Sequence, residues 1–254
     1  MIWKTELDLR KPLMNAAGML GFAPDMRAAV PWDELGAFVT NPISLRPRAA
    51  TQAPAVIEYP GGFLLHTGLP NPGFDTVLRQ QEKRWKEAPQ QVVVHLMADR
   101  PEETQAMVHA LEEVENVRAV ELGFAPLLAD EIVLLAIEMS RGELPLIASL
   151  PAEQVLRVGR QAIERGASAI SMAAPRGTLS RDGKAVSGRL YGPSLFPTSL
   201  ELVHAAAKAG IPFIGAGGVV SQLEAEAMMA AGAIAAQMDS RLWLPAETKK
   251  ASSQ

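Results

Sequence analysis

The positions best placed to do chemistry in this sequence sit where apolar runs end. The sharpest is Ile214-Gly-Ala-Gly-Gly-Val219, which follows an apolar run and precedes a helical pattern. Glycines let backbone N–H groups come close to an anion, and a helix N-terminus adds a favourable dipole. Gly215, Gly217 and Gly218 therefore form a candidate phosphate site, with a tight turn as the other reading. The next strand end, Gln237-Met-Asp-Ser240, argues against it, because Asp239 would repel a phosphate dianion at short range. A second candidate is Asn15-Ala16-Ala17-Gly18, whose small residues leave room for a flat ligand. Close strand packing would explain it equally well.

Four histidines are available. His66 lies in Phe63-Leu-Leu-His-Thr-Gly68, inside a long irregular segment, and is the best acid–base candidate. His109 and His204 fall in helical patterns and read as surface residues. His95 ends a buried strand and reads as a satisfied core imidazole, with a catalyst as the other reading. Glu121, near the end of another strand, reads as the partner of a neighbouring barrel charge, with a functional carboxylate as the other reading. Tyr191, in Gly188-Arg-Leu-Tyr-Gly-Pro193, is either a ring platform and phenolic donor or an aromatic covering the barrel. No HExxH or similarly spaced His/carboxylate cluster occurs, so no metal is expected.

Strands and helices must position these residues. Apolar runs at Pro12–Ala16, Ala37–Thr40, Gln91–Met97, Val117–Leu122, Leu144–Leu150, Ala167–Ala173, Ile211–Gly215 and Ala233–Met238 read as parallel strands buried on both faces. Helical patterns lie between them at Phe74–Lys86, Pro101–Val114, Leu127–Arg141, Ala152–Arg165, Ser199–Ala209 and Ser221–Ala231. Asp99 and the Ser221/Glu224 pair read as helix-start signals. The alternation predicts an α/β fold, a single (β/α)8 TIM barrel over residues 1–245 with a polar tail at 246–254. An open dinucleotide sheet would want GxGxxG after the first strand, and it is absent. Two long irregular segments, Asn41–Asn71 and Pro175–Pro197, carry hairpin signals at Pro60-Gly-Gly62 and Arg181-Asp-Gly-Lys184. In a barrel such loops gather at the carboxyl ends of the strands, where sites are built.

Composition narrows the classes. The chain has 254 residues, with 24 Lys+Arg against 28 Asp+Glu (24 − 28 = −4) and no cysteine. Disulfides, thiolate metal sites and a cysteine nucleophile are excluded. A mildly acidic chain without a basic block is not expected to bind nucleic acid. Its charged opening is unlike a signal peptide, and no apolar run approaches the ~20 residues that cross a bilayer, so a cytoplasmic location without membrane contact is expected.

The ordered set Pro12-Leu-Met-Asn-Ala-Ala-Gly18, Gly36-Ala-Phe-Val-Thr40, Ile43-Ser-Leu-Arg-Pro-Arg48, Gly68-Leu-Pro-Asn-Pro-Gly73, Leu144-Pro-Leu-Ile-Ala148, Gly188–Pro197 and Ile211–Gly218 resembles the dihydroorotate dehydrogenase family. The resemblance implies an FMN-linked oxidoreductase barrel of pyrimidine metabolism, with the flavin at its carboxyl-end face. It places Asn15, Ala16, Ala17, Gly18, Asn41, Ser149, Gly192, Gly215, Gly217, Gly218 and Ser240 around the cofactor. Leu65, Asn71, Gly123, Ala174 and Tyr191 fall around a small-molecule substrate. Family members often dimerise, so a homodimer is one expectation.

The departures from the family pattern decide more than the matches. The family's two flavin lysines correspond to Asn41 and Ser149. Its substrate asparagines map onto Leu65, Gly123, Ala174 and the neighbourhood of Leu128. Its phosphate-turn Gly-Thr maps onto Asp239-Ser240. The loop carrying its Cys or Ser base has shrunk to Gly123-Phe-Ala-Pro-Leu-Leu128. A site unable to make a substrate's polar bonds loses about 10⁴-fold or more. A lost general base costs a further ~10²–10⁴. The expectation is a divergent FMN-type oxidoreductase that does not act on dihydroorotate. A non-catalytic barrel kept for binding or regulation, and a flavin-free sugar-phosphate enzyme, are the alternatives.

Overall fold

Strands that lie between an outer ring of helices and a filled interior must be apolar on both faces, and this requirement organises the chain. The computed structural model describes residues 6–242. In chain order the elements are β1 (Leu13–Asn15), β2 (Ala37–Val39), β3 (Ala55–Tyr59), β4 (Gly62–His66), α1 (Phe74–Lys86), β5 (Gln91–Met97), α2 (Pro101–Glu112), β6 (Val117–Gly123) and α3 (Asp130–Met139). They continue with β7 (Leu146–Leu150), α4 (Ala152–Glu164), β8 (Ala169–Met172), β9 (Arg176–Arg181), β10 (Lys184–Tyr191), α5 (Phe196–Lys208), β11 (Phe213–Gly215), α6 (Gln222–Ala230) and β12 (Ala235–Met238).

The eight apolar runs are the eight strands of a closed parallel barrel, in the order β1–β2–β5–β6–β7–β8–β11–β12. The six helical patterns are α1 to α6. Residues 16–36, between β1 and β2, contain no helix, so this crossover departs from the ideal (β/α)8 repeat. The predicted tail at 246–254 lies outside the described residues. Ser221 caps α6 as expected: its Oγ accepts the Leu223 N–H at 3.2 Å and donates to Glu224 Oε2 at 2.5 Å. Asp99 does not cap α2. Arg100 holds that position without a side-chain cap bond, and Pro101, with no N–H to satisfy, opens the helix.

Both expected hairpins form. Gly61, at φ 85°, closes the β3–β4 turn, and Asp182 and Gly183, both at positive φ, make the β9–β10 turn. Beyond expectation, β4 and β10 pair antiparallel and join the hairpins into one sheet, β3-β4-β10-β9. Phe63 and Leu65 of β4 and Tyr191 of β10 pack with Met19 as an apolar cover that also touches Ala16 and Ala174.

Inside the barrel, Met14, Val39, Val93, Ala119, Ile147, Ala169, Ile214 and Ala235 pack together as an apolar plug. Each fully buried Val or Ile there contributes roughly 1.5–3 kcal/mol. Side chains alternate along a strand, so the next inward layer lies two residues on. That layer is polar: His95, Glu121, Ser149, Ser171 and Gln237, all buried. The plug is thus the foundation of a polar floor at the carboxyl end.

Candidate functional site

Between this floor and the hairpin cover lies a cavity of about 650 Å³. Its walls are the strand-end loops and the inner face of the β4–β10 pair.

The floor is built around Glu121, which is 1% exposed. A carboxylate taken out of water needs donors for its lone pairs. Here His95 Nδ1 lies 2.7 Å from Oε2, while Ser171 Oγ donates to Oε1 at 2.7 Å and Gln237 Nε2 donates to it at 2.8 Å. Burial pushes the Glu121 carboxyl up, but the hydrogen bond and charge of His95, then the bonds from Ser171 and Gln237, outweigh it and hold the group below its ordinary value. The carboxylate fixes the tautomer of His95, with the proton on Nδ1. His95 lines the cavity, and its Nε2 has no hydrogen-bond partner among the described residues. A β-carbon at position 123 would collide with that same edge of the ring. Glycine at 123 is what leaves room for the imidazole.

The cover brings cations. In the antiparallel register Arg189 stands beside Leu65 on one side and Arg176 on the other. Arg48 joins them at the cavity wall. Burial lowers the Arg189 guanidinium from its ordinary value; Tyr191 opposes this, and the neighbouring charges of Arg176 and Arg48 add to it. Among the described residues neither Arg189 nor Arg176 has a salt-bridge partner. Asp99, in the loop after β5, and Glu153, in the first turn of α4, also border the cavity. Tyr191 stacks on Phe63 at 5.6 Å, and burial raises its phenol.

The glycine-rich loop after β11 meets the end of β12. Gly217 and Gly218 have φ of 89° and 80°. A β-carbon on Gly218 would fall 2.5 Å from Phe196 N, so the loop is tight. The Gly218 N–H does not face an open seat: it donates to Asp239 Oδ2 at 2.8 Å. The Ser240 N–H donates to Asp239 Oδ1. Burial raises the Asp239 carboxyl, and the amides of Ser240 and Gly218 offset part of this.

The remaining candidates divide. Ala16, Ala17, Leu65, His66, Gly123, Ser149, Ala174, Tyr191 and Gly217 line the cavity. His66 has Nε2 3.2 Å from Thr51 Oγ1, a hydroxyl where His95 has a carboxylate. Asn15 does not line it: its amide bridges to Val39, donating to the carbonyl at 2.7 Å and accepting the N–H at 2.9 Å. Asn41 accepts the Gly21 N–H, and Asn71 ties Ser44 to Gly73. Both carboxamides are spent on loop geometry. Gly192 packs under the β3–β4 turn, and Gly215 packs against Met228. Gly18 stands at the head of the β1 loop with φ 89°, outside the lining.

From sequence alone His66 is the favoured acid–base group, and structural roles are favoured for His95 and Glu121. Folding brings the latter two together, because β5 and β6 are neighbours with His95 opposite Glu121. The signal was present: five strands each carry a polar residue two places beyond an inward apolar one. The arginine group left no such trace, since it depends on the pairing of two hairpins. Among the described residues no group of three or more His, Asp or Glu side chains could hold a metal ion, and no helix is long and apolar enough to cross a membrane.

Comparisons with known proteins bear on this geometry. The family model for dihydroorotate dehydrogenase matches residues 3–124. The dihydroorotate dehydrogenase B (NAD(+)) catalytic subunit of Pelobacter propionicus is 27% identical, covering 91% of this chain and 84% of that protein. The Streptococcus pneumoniae serotype 4 subunit of that name is 29% identical, covering 90% and 82%. A crystal structure of DHODH from Eimeria tenella in complex with ferulenol superposes with a TM-score of 0.72 at 16% identity, covering 93% of this chain and 79% of that one, a likeness of fold.

Proposed function

The chain belongs to the dihydroorotate dehydrogenase family, and we propose that it binds a small organic anion at the barrel mouth and exchanges a proton with it through His95, in a reaction other than dihydroorotate oxidation. One observation carries this reading. His95 lines the cavity, and a buried carboxylate takes its Nδ1 and leaves Nε2 without a hydrogen-bond partner among the described residues. Neutral imidazole takes a proton at Nε2, and the imidazolium that forms keeps its Nδ1–H on Glu121, whose charge stabilises it. General acid–base groups of this kind contribute about 10²–10⁴-fold. Arg189, Arg176 and Arg48 supply the charge that would hold a carboxylate. Dihydroorotate itself is disfavoured because Leu65, Gly123 and Ala174 stand where the resemblance calls for amides.

The family points to FMN, and the residues fit it in part. Ala16, Ala17 and Tyr191 leave room for a flat ring system. The phosphate seat does not fit, because the Asp239 carboxylate already takes the Gly218 and Ser240 amides. No step of the reaction is therefore assigned to a flavin.

The test is thermal-shift screening of purified protein against small carboxylates and their neutral amides, alongside dihydroorotate oxidation assays. Carboxylates should stabilise the protein and amides should not, with no dihydroorotate turnover. Turnover of dihydroorotate, or stabilisation by amides alone, would sink the reading. A binding role without chemistry would show as ligand affinity unchanged in His95→Gln and no conversion of any bound ligand.

A further inference from the structure

We propose that the Asp239 carboxylate is a built-in substitute for a ligand phosphate, so that the barrel mouth takes unphosphorylated ligands and excludes phosphate esters from the seat between the β11 and β12 ends. The seat has the features an anion needs. Gly217 and Gly218 bring the main chain in close at positive φ, a conformation that L side chains resist. Two backbone N–H groups from different loops, those of Gly218 and Ser240, converge on one group. The Ser240 hydroxyl is buried with no hydrogen-bond partner among the described residues. What fills the seat is a side chain of the protein itself. Each Asp239 oxygen accepts one amide, the pattern of an ionised carboxylate, and the residue is 2% exposed. A phosphate ester would have to displace this carboxylate or sit against it, like charge to like charge. Glycine at 239, as the resemblance suggests for family members, would free both amides and the hydroxyl.

Among the described residues the 239 seat shares no hydrogen bond with His95 or the cavity arginines. Its test compares wild type with Asp239→Gly, measuring FMN and riboflavin affinity by flavin fluorescence and the melting shift caused by inorganic phosphate. Wild type should bind FMN no more tightly than riboflavin and ignore phosphate. Asp239→Gly should favour FMN over riboflavin by about tenfold or more, as one charged hydrogen bond is worth, and be stabilised by phosphate. Should the glycine variant fail to fold, Asp239→Ser removes the charge at similar volume and is read the same way. A wild-type protein that prefers FMN, or a folded variant that phosphate does not stabilise, would overturn the proposal. The carboxylate screen above can fail or succeed independently of either result.

Discussion

The imidazole of His95 occupies the volume that a side chain at position 123 would need, with its Nε2 edge against the Gly123 backbone. The two residues sit on neighbouring strands, and each explains the other. Gly123→Ala should therefore force the ring off Glu121 and cost roughly 1–3 kcal/mol, as overpacking does. Gly123→Asn should cost more. If the volume is shared, His95→Ala with Gly123→Asn should recover stability, with a coupling on the order of 1 kcal/mol or more in a double-mutant cycle read by urea unfolding. Additive costs would refute the shared-volume account.

Glu121 should separate stability from chemistry. Glu121→Gln keeps the shape but replaces the carboxylate that accepts from His95, Ser171 and Gln237. Expected is a loss of about 1–3 kcal/mol in unfolding free energy. Once a reactive ligand is found, kcat should fall with little change in KM, because Glu121 positions His95 rather than touching the ligand. A change confined to KM would point to a binding role instead.

Arg189 should govern anion affinity. Replacing it by Gln removes the most enclosed of the three cavity cations. Affinity for a carboxylate ligand should drop about tenfold to a hundredfold, and neutral analogues should be unaffected. Calorimetric titration reads both. Equal losses for charged and neutral ligands would mean that the residue acts through packing.

Two buried carboxyls should act on stability in opposite pH directions. Glu121 is held below its ordinary 4.5, so its contribution is present above that value and lost as pH falls through the lower folded one. Asp239 is raised above its ordinary 3.8, so its contribution is present below that value and lost as pH rises through the higher folded one. Urea midpoints across the acid range should show Glu121→Gln flattening the acid limb and Asp239→Gly removing a loss on the rising side. Both variants tracking wild type at every pH would dismiss this assignment.

The barrel was legible because its signals are local. Apolar runs such as Gln91–Met97 and patterns such as Phe74–Lys86 follow from the periods of strand and helix, and the turns at Gly61 and Asp182-Gly183 follow from residues that accept positive φ. The ordered motifs carried the resemblance to the family, and the residues that the resemblance sets at its lysine, amide and base positions could be read without coordinates. The site itself was decided by tertiary structure. Glu121 is a dyad partner because ring closure of the strands sets it beside His95 and within reach of Gln237, 116 residues away in the chain. Asn15, Asn41 and Asn71 look like ligand contacts until their amides are seen bonded to β2 and to neighbouring loops. Asp239 looks like a charge near a phosphate, whereas the fold makes it the anion. In each case residue type and spacing determine what a side chain is able to do. Which partner satisfies it depends on strand order and stagger, and these exist only once the barrel has closed.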